Sequence, residues 1–152
     1  MDFATFGLLV LTGFTACAEF GSYAFVHPVI RDLPPKYHVK VEQGLLRTFG
    51  RVMPILMALC VIAAIAYALH EAGTSGPVRL TRWIAAALFA AALTFTIILN
   101  VPINLATAKW DADRPPENWK EIRNKWEKFQ ALRSWLLLLG FITLCAAVSS
   151  KT

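Results

Sequence analysis

Four apolar runs, each close to the length a bilayer demands, constrain this chain more than any other feature. A helix crossing a hydrocarbon core needs about 20 mostly apolar residues. The runs predict spans at about 3–27, 44–69, 80–101 and 131–149. The hearts of the second and third, Val52–Leu69 and Trp83–Val101, carry no charge, and Glu19 is the single charge in the first. Backbone groups in lipid must be satisfied within each segment, so the runs read as helices. The expected architecture is all-α: a four-helix integral membrane bundle. Residues 1–152 read as a single membrane domain, with a short amphipathic helical segment between spans three and four.

Composition supports this. Hydrophobic residues make up 57% and charged residues 16%, against roughly a quarter charged in soluble domains. The net charge of +5 falls in the gaps between apolar runs. There it reads as headgroup contact and orientation signal, which argues against a nucleic-acid partner. Cys17, Cys60 and Cys145 all lie in apolar runs without CxxC spacing, and read as packing residues, not metal or disulfide sites. The opening Met1-Asp2-Phe3 lacks a basic stretch, so the first run is expected to stay as a membrane helix.

The links differ in character. Arg31–Gln43 contains Pro34-Pro35 and is expected to begin as an irregular, extended link, with the second helix starting near Val41. Glu71–Pro77 reads as a tight hairpin turn. Asn100–Arg133 is long, broken at Arg114-Pro115-Pro116, and helical from about Glu117 into the fourth span. Pro54 is expected to kink the second helix. Of the 15 Lys and Arg residues, all but Arg79, Arg82 and Lys151 sit in or beside the links after spans one and three. The positive-inside rule therefore puts that side in the cytoplasm of a cell-membrane protein, and both termini outside.

Ionisable groups inside a span are costly and are candidates for function. Glu19, Tyr23 and His27 recur every four residues along one side of the first helix. They can form a relay or pocket wall; otherwise Glu19 pairs with another helix and His27 caps the span. Gln43, Arg47 and Arg51 repeat the spacing, and the guanidinium groups suit either headgroup phosphates or an anion in the bundle mouth. In Asn100-Val101-Pro102-Ile103-Asn104, two carboxamides flank a proline that frees the carbonyl of Ile98. They either repair that break or hold a polar substrate. Trp119, Arg123, Trp126, Gln130 and Arg133 form one helical stripe that reads as an interfacial belt or as a pocket wall. These groups converge at one membrane level, and nothing comparable is expected at the outer end.

Several of these segments together resemble the small four-span membrane proteins grouped with fungal anthrone oxygenases. The resemblance rests on His27-Pro28, on Leu46-Arg47-Thr48-Phe49-Gly50-Arg51 with Met53-Pro54, on the NVPIN segment at 100–104, and on Trp119, Arg123, Trp126 and Arg133. It implies a four-helix membrane bundle and oxidation of anthrones to anthraquinones by molecular oxygen. Relatives often carry histidine where this chain has Gln130. A glutamine is no base near neutral pH, so His27 would take that part here.

Two functions follow as expectations. In the first, an oxygenase acts on a flat, apolar phenolic or polyketide-like substrate. His27 is the base, tuned by Glu19 and Tyr23; Asn100 and Asn104 bond substrate oxygens; Arg47 or Arg51 stabilises enolate charge; Trp126 stacks on the rings. Trp119, Arg123, Gln130 and Arg133 complete the substrate-binding set. In the second, a non-catalytic protein binds a quinone, haem or lipid, or scaffolds a membrane complex. No cofactor is dictated: His27 would be a lone axial haem ligand, or with Glu19 a weak metal site, and no recognised metal-ligand spacing occurs. The expected partners are the bilayer and an apolar small molecule, with a homo-oligomer compatible with either function.

Overall fold

The computed structural model describes residues 2–70 and 76–150. Helix α1 (Phe3–Gly21) passes through a π-helical turn (Ser22–Val26) into α2 (His27–Arg31). Then follow α3 (Pro35–Arg47), α4 (Phe49–His70) and α5 (Gly76–Phe95). A second π turn (Thr96–Asn100) leads to α6 (Val101–Thr107), and α7 (Trp119–Ser149) ends the chain. Among the described residues there is no strand. Four helical stretches are long and apolar enough to cross a membrane: Phe3–Arg31, Phe49–His70, Gly76–Thr107 and Trp119–Ser149. The expected hairpin turn at Glu71–Pro77 lies mostly outside the described residues, as does Lys151.

The four long helices close a ring in which α1 packs on α4 and α7, and α5 on the same two. The half of the bundle away from α3 is packed with apolar and small residues, among them Ala16, Met57, Cys60, Ala64, Ala85, Phe89, Ala92, Leu137 and Leu144. Small residues let helices approach closely where lipid supplies no hydrophobic drive to associate. Buried threonines close their own hydroxyls onto the preceding turn: Thr12 donates to Leu8 O at 2.7 Å and Thr96 to Ala92 O at 2.8 Å. Outside, Phe14, Ile55, Ile62 and Ile98 stand exposed, as a bilayer-facing surface should.

Two links depart from expectation. Arg31–Gln43 is mostly helix, because Pro35 occupies the first position of α3, where its fixed φ and missing N–H cost nothing. Asp32–Pro34 keep the irregular character of the link, with Pro34 extended (φ −55°, ψ 149°). The second span is not one helix from near Val41. The chain breaks at Thr48 (φ −108°, ψ −81°), so α3 folds as a separate amphipathic element and Arg47 and Arg51 belong to different helices. The amphipathic segment before the fourth span is the first part of the 31-residue α7.

Helix α3 is tied down at both ends. His38 Nδ1 lies 2.9 Å from the carbonyl of Ile30, closing the elbow with α2. Gln43 Nε2 donates to the carbonyls of Thr107 (3.1 Å) and Trp110 (2.9 Å), satisfying acceptors left over where α6 ends. At the surface Lys36 pairs with Asp113 at 2.5 Å, which raises the lysine pKa and lowers the aspartate one.

Gly140 marks the tightest approach of α7 to α5. A Cβ there would stand 3.3 Å from the ring of buried Phe89 and 3.4 Å from Leu88 Cβ. Gly140→Val is therefore expected to destabilise the bundle by about 1–3 kcal/mol, read as a lowered thermal midpoint in detergent. Gly7→Ala, where an added Cβ meets nothing within 4 Å, should leave the midpoint in place.

Candidate functional site

Two prolines make room for the site. Pro28 and Pro102 each lack an N–H and press on the carbonyl four residues back. In both cases the preceding turn widens to π geometry: His27 N–H donates to Ser22 O, and Val101 N–H to Thr96 O. Among the described residues no asparagine side chain bonds the freed carbonyl of Ile98; the widened turn takes the strain instead. Such turns displace side chains from the regular helical rows. His27 now stacks over Ser22, while Tyr23 turns aside, half-buried and edge-on to Phe20 at 5.9 Å.

Glu42 of α3 is the centre of one buried polar cluster. Its Oε1 lies 2.6 Å from Arg123 Nη2, 3.5 Å from His27 Nδ1 and 3.8 Å from His38 Nε2. Glu42 and Arg123 are 3% and 1% exposed, so each neutralises a charge the other could not carry alone. Aromatic faces enclose the cluster: Arg123 lies over Trp126 at 4.2 Å, His27 sits 4.8 Å from the same ring, and His38 meets Trp119 at 5.1 Å. Burial pushes the Glu42 carboxyl up, yet the His27 nitrogen and the charges of Arg123 and His38 outweigh it. The group is held below the usual carboxylate range. Burial pushes His38 down, more than Glu42 pulls it up.

Glu19 anchors the second cluster, deeper in the bundle. Its Oε2 accepts from Arg133 Nη2 (2.7 Å) and Gln130 Nε2 (2.9 Å), while Arg133 also donates to Gln130 Oε1. Ser134 Oγ donates to the Glu19 carbonyl at 3.2 Å, joining α1 to α7. Glu19 Oε1 is buried with no hydrogen-bond partner among the described residues.

Between the clusters lies a chamber of about 60 Å³ lined by Glu19, Ser22, His27, Glu42, Asn104, Trp126, Gln130 and Arg133, with apolar walls from Phe49, Met53 and Pro54. That is room for a few water molecules. A second, open-sided recess of about 440 Å³ adjoins it, lined by Gln43, Arg47, Arg51, Leu105 and Ala108. Leu46, Gly50, Val101 and Asn104 line both spaces and form the neck between them.

The expected site residues thus separate. Glu19, His27, Asn104, Trp126, Gln130 and Arg133 meet around the chamber. Arg123 reaches the chamber only through Glu42 and Trp126, and Trp119 lies against His38. Arg47 and Arg51 are exposed and face the recess, not the chamber. Asn100 is fully buried, with neither side-chain polar atom hydrogen-bonded among the described residues; it lies one turn from Thr96 and Asn104. Tyr23 stays outside. Glu42 went unnoticed in the sequence although His38 and Glu42 share the four-residue spacing, because α3 was read as a link. The outer end is also less bland than expected: Arg82 is 1% exposed, its guanidinium over Tyr67 at 4.5 Å.

The chamber does not suit a macrocycle, being far smaller than a porphyrin. Two imidazoles converge on Glu42 Oε1, but Arg123 already occupies that oxygen, and among the described residues no three His, Cys, Asp or Glu are arranged to hold a metal ion. Residues 45–143 match the family profile described as anthrone oxygenase. No curated protein and no solved structure matches the chain.

Two outcomes follow from the Glu42 cluster. Removing one partner of a buried pair strands the other, so Arg123→Met should cost about 3–5 kcal/mol. Arg123→Met combined with Glu42→Gln should recover much of that loss in thermal unfolding; a double variant worse than the single would contradict the pairing. The second concerns pH. His38 and Glu42 both hold lowered pKa values when folded, so the unfolded chain takes up protons at higher pH than the folded one. Stability should be complete above the ordinary imidazole value of 6.5 and fall as pH drops through the folded value of His38. It should fall again below the ordinary carboxyl value of 4.5. Melting curves across pH 3–8 test this, and His38→Gln should remove the upper step.

Proposed function

Since the chain belongs to the anthrone oxygenase family, we propose that it oxidises a flat, apolar phenolic or polyketide-like substrate with molecular oxygen beside His27. The observation that carries this reading is the chamber itself. One imidazole and two oxygens that have no donor among the described residues, Glu19 Oε1 and Asn104 Oδ1, meet in a space that opens through a neck into a wider recess. A tricyclic body exceeds the chamber, so it lies in the recess and neck and presents one edge inward.

His27 Nδ1 faces Glu42, which leaves Nε2 as the base. It removes a proton from the methylene between two aryl rings, whose carbanion is delocalised onto the opposite carbonyl as an enolate. Glu42, held ionised, stabilises the imidazolium that forms. The carbanion passes its electrons to O2 and, with a proton, becomes a hydroperoxide. Loss of water, which takes the remaining C–H proton, leaves the second carbonyl. The net change is one CH2 and one O2 converted to one C=O and one H2O. Trp126 supplies a flat wall for the rings.

Hydrogen-bond polarity favours a phenol over a quinone as the molecule taken up. A quinone offers only acceptors, whereas Glu19 Oε1 and Asn104 Oδ1 need donors. The unpartnered N–H of Trp126, in the chamber wall, suits an acceptor oxygen on the same inward edge. The Lys and Arg distribution supports a cytoplasmic position for the chamber.

Oxygen uptake by protein in nanodiscs supplied with a hydroxyanthrone, corrected for spontaneous oxidation, tests the reading. His27→Ala should lower the rate by about 10²–10⁴-fold while the protein still melts cooperatively. A folded His27→Ala variant with undiminished uptake would remove this base from the reaction.

A further inference from the structure

The recess outside the neck is chemically unlike the chamber. It is lined by two guanidinium groups, Arg47 and Arg51, and by no acidic residue. Among the described residues neither arginine has a carboxylate partner. Arg47 Nε is turned onto the carbonyl of Gln43 at 3.2 Å, which leaves its two terminal nitrogens for another group. The break at Thr48 sets the pair on two different helices, so they flank the recess from separate supports. The remaining wall is apolar, with Leu46, Val101 and Leu105, and Gly50 lets the neck come close to the backbone.

Elsewhere at this end of the bundle the basic groups that meet an acid are neutralised: Arg31 by Glu127 at 2.5 Å, Lys36 by Asp113, Arg123 by Glu42. Arg47 and Arg51 have no such partner among the described residues, and they line the recess in which a molecule too large for the chamber must rest.

We propose that the recess binds an anionic oxygen group, a carboxylate by preference, carried on the flat apolar body whose far edge enters the chamber. Arg47 and Arg51 hold the charged end through charge-assisted hydrogen bonds, and the Leu46–Gly50–Val101–Asn104 neck aligns the body toward His27. This rests on the proposed function for the identity of the body, and adds a requirement for charge at its outer end. A phospholipid headgroup offers the same anionic oxygens, so the two sources have to be told apart.

Anthracene-2-carboxylate and the neutral anthracene-2-carboxamide serve as probes, since neither carries the methylene that would be oxidised. Binding is read by energy transfer from the protein's tryptophans in phosphatidylcholine nanodiscs, corrected with empty discs. The carboxylate should bind about tenfold more tightly than the amide, the worth of one charge-assisted contact. Arg47→Gln with Arg51→Gln should erase that preference without altering the amide's affinity, and Arg47→Lys with Arg51→Lys should restore part of it. Adding phosphatidylglycerol should weaken the carboxylate by competition. Equal affinities in neutral lipid, or a preference that survives the double glutamine variant, would overturn the proposal. So would variants that change behaviour only in discs containing phosphatidylglycerol, which would mark the arginines as headgroup anchors. Because the probes cannot turn over, a protein that prefers the carboxylate yet consumes no oxygen would sink the oxygenase reading alone.

Discussion

Glu42 holds the site together, because its carboxylate ties α3 to both α2 and α7. Arg123 gives it a counter-charge, while His27 and His38 approach the same oxygen from the elbow between α2 and α3. In a setting with little water such a group survives only if its neighbours supply the solvation it lost. The requirement works in reverse as well. Once Glu42 is ionised, α3 must stay folded over the mouth of the bundle, and His27 must keep one ring nitrogen toward it. The position of the imidazole is thus a by-product of solvating a carboxylate.

Room for that arrangement comes from the two prolines. A regular helix would place His27 in the row of Glu19 and Tyr23; the widened turn before Pro28 moves it over Ser22. The matching turn before Pro102 does the same for Asn100 and Asn104 across the bundle. Each proline costs a backbone bond, and each widened turn redirects polar side chains inward while the apolar positions of the same helix continue to face lipid.

The four spans and the level at which polar groups gather were legible in the sequence because hydrophobic run length is a direct consequence of bilayer thickness. Glu19, His27, Asn104, Trp126, Gln130 and Arg133 could be placed near one another because their spacing follows the helical repeat. Proline accounts for two of the departures, because it starts a helix or widens a turn as readily as it ends one. Pro34-Pro35 was read as irregular, although the second proline starts α3, and Glu42 was lost with that helix. Pro28 made Tyr23 look aligned with His27 when the turn before it had changed pitch. The division between chamber and recess depends on the break at Thr48, for which no residue pattern gives notice.

The bundle divides its labour along its length. From Ala16 and Cys60 outward, the contacts that hold the helices together are made by alanines, a cysteine, a phenylalanine and leucines that do not line the chamber. At the other end, α7 supplies one unbroken side of the chamber, and the other walls of chamber and recess lie beside the two widened turns and the break at Thr48. Changes there need not disturb the apolar packing, so the two halves can drift at different rates. A lineage built on this scaffold can acquire a new ligand preference while keeping the anchor that holds it in the bilayer.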